Sequence, residues 1–141
     1  VRFLPVTVHL TAAVKSGSSV LYPVPQLTSR LVDTVKKCRI TVMKIARYDS
    51  LIAQYENPIE HSCSMKIGQT FICDGWNRPD GLCESAWESM SAFVMTLAHG
   101  GENLYDGWMK NPRSAMVSCN DGFRPVSFLI EALDEDAAPS A

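Results

Sequence analysis

A chain of 141 residues, 46% hydrophobic and 20% charged, is long enough to bury one sizeable core and too short for two ordinary domains. Its net charge of −2 offers no basic footprint for nucleic acid or an anionic membrane surface. Pro5, His9, Lys15 and Pro23 also interrupt the most apolar stretch well short of the roughly 18 residues a membrane helix needs. Polyanion binding is disfavoured, no membrane-spanning helix is expected, and a soluble globular protein is expected.

Residues 1–35 carry Ser16-Gly17-Ser18-Ser19, Pro23 and Pro25 with no sustained period of 2 or 3.6, which predicts a flexible N-terminal extension. Val1 and Val35 each fit a GTG start codon read literally, so the start of the protein is expected near Val35. The alternative for this region is an ordered strand over Val6 to Leu10, added to a sheet edge. A secretory leader fits poorly: Pro5, Thr7, His9 and Thr11 dilute the apolar run, and no small-x-small cleavage site precedes a clear mature start. A cytoplasmic protein is expected, in which the five cysteines stay mostly as thiols or serve a metal or redox role.

From Lys36 the pattern sharpens. Cys38, Ile40 and Val42 alternate with Arg39, Thr41 and Met43, as a half-buried strand requires. Leu51, Ile52 and Tyr55 sit at helical spacing over Ser50 to Glu56, behind Asp49-Ser50 as cap candidates and ahead of Asn57-Pro58 as a stop. Gly68 to Cys73 predicts a second strand, with Phe71 and Cys73 on one face, Thr70 and Ile72 on the other, and Asp74-Gly75 ending it.

The clearest element is a helix from Leu82 to Ala98, where Leu82, Ala86, Met90, Phe93 and Leu97 recur every three or four residues, flanked by Trp87 and Val94. His99 and Gly100-Gly101 mark its stop. Ala115 to Cys119 and Val126 to Leu133, joined by Asn120-Asp121-Gly122-Phe123-Arg124-Pro125, predict a hairpin. The expected fold is α+β: an antiparallel sheet of about four strands, Cys38–Ile45, Gln69–Cys73, Ala115–Cys119 and Val126–Leu133, with the main helix packed on one face. Residues 36–133 form the single domain, strand order is left open, and the tail 134–141 is expected to be disordered.

The order of these signals resembles an uncharacterised family of short cysteine-containing bacterial proteins. The resemblance rests on Lys36-Lys37-Cys38-Arg39-Ile40-Thr41-Val42 at the opening and Cys119-x-Asp121-Gly122-x-Arg124-Pro125-Val126 at the close, with Gly68-Gln69-x-Phe71, Pro79-x-Gly81-x-Cys83, Ala86-Trp87, Gly100-Gly101 and Trp108 between them. It covers about Val35 to Leu133 and implies no particular activity. Relatives often carry paired cysteines ahead of the Asp-Gly turn, whereas Ser118 stands beside Cys119 here, so this turn carries a single thiol.

Cys83 lies where the main helix begins, the place where backbone N–H groups and the helix dipole favour a thiolate; the plain alternative is a small buried hydrophobe. Cys83 and Cys119 are the candidate catalytic thiols. The only histidines of the domain, His61 and His99, are the candidate bases. Metal binding would rest on the cysteines with His61, which is one residue removed from Cys63 and able to face the same way in an extended segment. The metal set is His61, Cys63, Cys83 and Cys119, with Cys73 as a further thiol, and zinc or iron suits such ligands. The wide spacing argues against it, since structural zinc sites bring ligands in close pairs.

Arg124 either holds a carboxylate or phosphate of a ligand, or pairs with Asp121 or another local carboxylate and fixes the hairpin. Trp76 and Trp108, in loops beside glycines, join it as ligand-binding candidates, whereas Trp87 is expected in the core. Two functions follow. In the first, Cys63, Cys83 and Cys119 converge as a thiol or metal site for redox or small-molecule chemistry. In the second, the cysteines are structural and Trp76, Trp108 and Arg124 serve a non-enzymatic ligand-binding or oligomerisation module. An unidentified small molecule and a second copy of the chain are the partners these readings imply.

Overall fold

The computed structural model describes residues 34–137. Residues 1–33, on which the extension and the alternative strand over Val6 to Leu10 fall, and the tail beyond residue 137 lie outside them.

Strand alternation builds one antiparallel sheet. In β1 (Lys36–Ile45) Cys38, Ile40 and Val42 are buried while Arg39 and Met43 are exposed, the two-residue period dictated by the pleat. β2 (Thr70–Cys73) turns Phe71 and Cys73 inward and leaves Thr70 and Ile72 outside. β3 (Ser114–Ser118) and β4 (Val126–Asp136) form the hairpin, with Ala115, Val126, Phe128 and Ile130 buried. The order is β2-β1-β4-β3 with every pair antiparallel.

Register lines the inward residues up in rows: Phe71, Ile40, Ile130 and Ala115 form one, and Val42, Phe128 and Val117 the next. Such laterally adjacent pairs are the unit of sheet stabilisation. On the opposite face Arg39 bonds its cross-strand partner Glu131 at 2.8 Å.

One helix covers the inward face. α2 (Glu84–Ala98) packs on β1, β3 and β4 through Ala86, Met90, Val94, Leu97 and Ala98, all buried, with Trp87 and Phe93 half-buried at the edge of the core. It stops where glycine makes a reversal affordable. Gly100, at φ +82°, donates its N–H to the Leu97 carbonyl, and Gly101 donates to the Thr96 carbonyl. These two bonds are those of a Schellman cap. A Cβ on Gly101 would lie 2.8 Å from the Thr96 carbonyl oxygen, so the second glycine is required for close approach.

The structure differs from the sequence reading at several boundaries. The first helix, α1, spans Asp49–Tyr55, and Glu56 is its C-cap; it buries none of its residues. The main helix begins at Glu84, so Leu82 lies just before it and Cys83 is its N-cap. A short segment, α3 (Leu104–Gly107), was not anticipated; Asn103, Tyr105 and Asp106 there take left-handed backbone angles.

At the C-terminal end, β4 runs three residues past Leu133. By composition Asp134, Glu135 and Asp136 read as the acidic start of the tail. Arg113, Lys37 and Lys36, respectively, lie against them, and opposite charges facing each other make a charged strand end compatible with the ladder. Before β1, the Val35 carbonyl accepts the Ala137 N–H, so the pairing also begins ahead of Lys36.

Among the described residues no helix is long and apolar enough to cross a membrane.

Candidate functional site

Three chain segments meet at the N-terminal end of α2. The first is the irregular stretch after α1, where Pro58 follows the helix and Met65, buried at 6% exposure, anchors the return to the sheet. The second is the start of α2, where Cys83 is the N-cap and makes no side-chain capping bond. The third is the β3–β4 loop. Asp121 Oδ1 accepts the N–H groups of Phe123 (2.7 Å) and Arg124 (2.8 Å), the Asx-turn geometry that shapes such loops. Asn120 Nδ2 donates to the Ser85 carbonyl at 3.2 Å, tying the loop to the helix start.

Between them lies a cavity of about 420 Å³, within the range of small-molecule pockets. Its walls include His61 and Cys63 from the first segment, Cys83 from the second, and Cys119, Asp121 and Arg124 from the third. All five cysteines of the chain fall among the described residues, and all are free thiols.

The three cavity thiols differ in their surroundings. Cys63 is exposed and its Sγ accepts the Met65 N–H at 3.4 Å. Cys119 is half-buried and its Sγ accepts the Val126 N–H at 3.2 Å. Cys83 is exposed, makes no side-chain capping bond, and among the described residues no hydrogen bond holds its sulfur in place. The remaining two are core residues, paired across β1 and β2. Burial, reinforced by the neighbouring Cys73, pushes the Cys38 thiol up to about 12, and burial likewise raises Cys73 against the opposing effect of the Gly75 N–H. A thiol held protonated is a poor nucleophile. Cys73, considered above as a metal ligand, belongs instead to the sheet core.

Arg124 does not pair with Asp121. Its Nη1 and Nη2 each donate to one carboxylate oxygen of Glu56, both at 2.6 Å, and both side chains are nearly buried, at 11% and 13% exposure. Asp121 is spent on the loop's own N–H groups, which leaves the guanidinium to a carboxylate 68 residues away in sequence. This bidentate pair fastens the end of α1, and with it the start of the His61–Cys63 wall, to the hairpin loop. Arg124 Nε is buried, with no hydrogen-bond partner among the described residues.

The hydrogen bonds from Arg124 outweigh burial and hold the Glu56 carboxyl below its ordinary value of 4.5. Because the folded value is depressed, the stabilisation is fully present above the ordinary glutamate value and is lost as pH falls through the folded one. Glu56→Gln is therefore expected to flatten the acid limb of a plot of urea midpoint against pH. Asp74, Asp134 and Asp136 are also depressed and keep part of that limb. An unchanged acid limb would show that the pair contributes nothing to stability.

His99, the other candidate base, caps the far end of α2, about 24 Å from Cys83 at 1.5 Å rise per residue. His61 is the imidazole of the cavity. Neither tryptophan proposed to bind ligand lines the cavity that holds Arg124. Trp76 meets the His99 ring edge-on, centroids 4.5 Å apart, and Trp108, 81% exposed, stacks on Tyr105 at 5.6 Å.

Among the described residues no group of three or more His, Cys, Asp or Glu side chains is placed to hold a metal ion. His61, Cys63, Cys83 and Cys119 thus share the walls of a cavity without forming a ready-made zinc or iron cage. Residues missed from the sequence are Ile59, the serines Ser62, Ser64 and Ser85, and Glu56. The run His61-Ser62-Cys63-Ser64, small and polar between Pro58 and Met65, was the available signal for the first of these.

Fold and cavity define the molecule as a small α+β protein with a thiol-lined pocket at one end of its helix. Compared with protein-family models, curated proteins and solved structures, the chain matches none.

Proposed function

We propose that this protein carries out thiol chemistry on a small molecule in the cavity at the α2 N-terminus, by reversible exchange of its cysteines with a disulfide. The observation that supports the reading is the partition of the thiols. Cys63, Cys83 and Cys119 line one accessible cavity, while Cys38 and Cys73 are sealed in the core. Scattered packing cysteines would show no such division.

Cys83 is the attacking group, exposed and with its sulfur uncommitted among the described residues. His61 lines the same cavity and is the base within it that a thiol nucleophile would draw on. Cys119 and Cys63 are the neighbouring thiols. A reducing compartment such as the cytoplasm keeps all three available, which is the setting the reading requires.

The test is peptide mapping by mass spectrometry after native protein has met hydroxyethyl disulfide. Adducts are expected on Cys83 first, then on Cys63 and Cys119, with Cys38 and Cys73 modified only after denaturation. Absence of adducts on the cavity cysteines, or modification of all five together, overturns it.

A second reading, a non-enzymatic binding or oligomerisation module, is favoured by one observation. Trp108 stacks on Tyr105 and Tyr105 packs on Phe93 on a loop whose backbone is held in left-handed angles, the kind of strain that clusters at functional sites. Concentration-dependent self-association abolished by Trp108→Ala would move the function to that surface.

A further inference from the structure

The charge around the cavity selects among disulfides, an inference that rests on the thiol-exchange reading. Among the described residues Arg124 is the one lysine or arginine that lines the cavity, and both terminal nitrogens of its guanidinium are committed to Glu56. Asp121 lies in the same wall. Glu84 follows Cys83 in the first turn of α2, and Glu60 lines the adjoining hollow with His61 and Cys63. Two other guanidiniums lie near and neither lines the cavity: Arg78 donates to the Leu82 carbonyl at 2.5 Å, and Arg47, close enough to act on the Glu56 carboxyl, pairs with Asp49. Asp121, Glu84 and Glu60 thus place three carboxylates in or beside the cavity, against one lining cation that is already paired with Glu56.

We infer that the cavity takes small disulfides bearing cationic or neutral groups and disfavours anionic ones. The Cys83 thiol gives up its proton to solvent or His61, and its sulfur attacks one sulfur of the substrate R–S–S–R. A Cys83–S–S–R bond forms as the original S–S bond breaks. The departing RS⁻ takes the electron pair and recovers a proton. Oxidation of the protein sulfur is matched by reduction of the released one, and a free thiol from outside reverses the step.

The test compares mixed-disulfide formation at Cys83 with cystamine, hydroxyethyl disulfide and dithiodiglycolate, each rate divided by that of a small neutral thiol with the same reagent. At low salt the normalised preference for cystamine over dithiodiglycolate is expected to be roughly three- to tenfold, shrinking towards one as salt is raised. Asp121→Asn, which keeps an acceptor oxygen for the loop N–H groups, is expected to reduce the preference at low salt. Reaction at Cys83 with all three reagents, but with a preference of one or reversed, or one insensitive to both salt and Asp121→Asn, overturns the charge selection alone. Failure of Cys83 to react with any of the three overturns the thiol-exchange reading beneath it.

Discussion

Cys83→Ser is expected to abolish the fast phase of disulfide exchange on the native protein, because a serine hydroxyl is not ionised where a thiol begins to be and cannot form a disulfide. The expectation is specific to this residue. The sulfurs of Cys63 and Cys119 each accept a backbone N–H, and Cys119 is half-buried, so Cys63→Ser and Cys119→Ser should remove slower phases and leave the fast one. Stability should change by less than about 0.5 kcal/mol, as for surface substitutions generally, since the Cys83 side chain is exposed and takes no part in capping. Stopped-flow exchange with a chromogenic disulfide, beside urea unfolding of each variant, reads both quantities. If the fast phase survives Cys83→Ser in protein of wild-type stability, the attacking thiol lies elsewhere.

Phe128→Ala carries the largest expected cost to the fold, about 3–5 kcal/mol, the range for deleting a buried aromatic ring. Phe128 is fully buried in β4, between Val42 of β1 and Val117 of β3 and beneath the face that α2 covers. The rigid flanking ladders hinder the neighbours from collapsing into the space. Domains are typically stable by about 5–15 kcal/mol, so the loss is a large share of the whole. Equilibrium urea unfolding checks it; a shift comparable to that of an exposed site such as Met116→Ala would mean that the sheet core is not packed as described.

Local signals carried most of the fold. The alternation of Cys38, Ile40 and Val42 and the stripe of Ala86, Met90 and Leu97 are properties of neighbouring residues, and the strand and helix periods project them directly onto burial. The same stripe misled slightly at Phe93, because Val94 sits nearer its centre and is the fully buried residue of the two. Asp134 to Asp136 look like a solvated tail by composition; in the strand they face Arg113, Lys37 and Lys36, which only the folded register brings opposite.

The candidate site was legible by residue type more than by contact. Cysteine and histidine could be singled out for their chemistry, but the meeting of His61, Cys63, Cys83 and Cys119 at one cavity depends on the path of the stretch after α1, and that path has no period to read. The partner of Arg124 was beyond reach for the same reason. Local carboxylates are what a sequence offers, and Asp121 was already taken by its own loop, which left Glu56. Trp76 and Trp108 sit beside glycines as binding tryptophans often do, yet nothing in that pattern encodes which pocket they would face.

The shared cavity is tested most directly by occupying it. Loading Cys83 with a bulky mixed disulfide and then timing maleimide labelling of Cys63 and Cys119 asks whether the three thiols share one space. The account predicts that both are slowed in loaded protein and recover when a reductant removes the adduct. Unchanged labelling of both residues would contradict it.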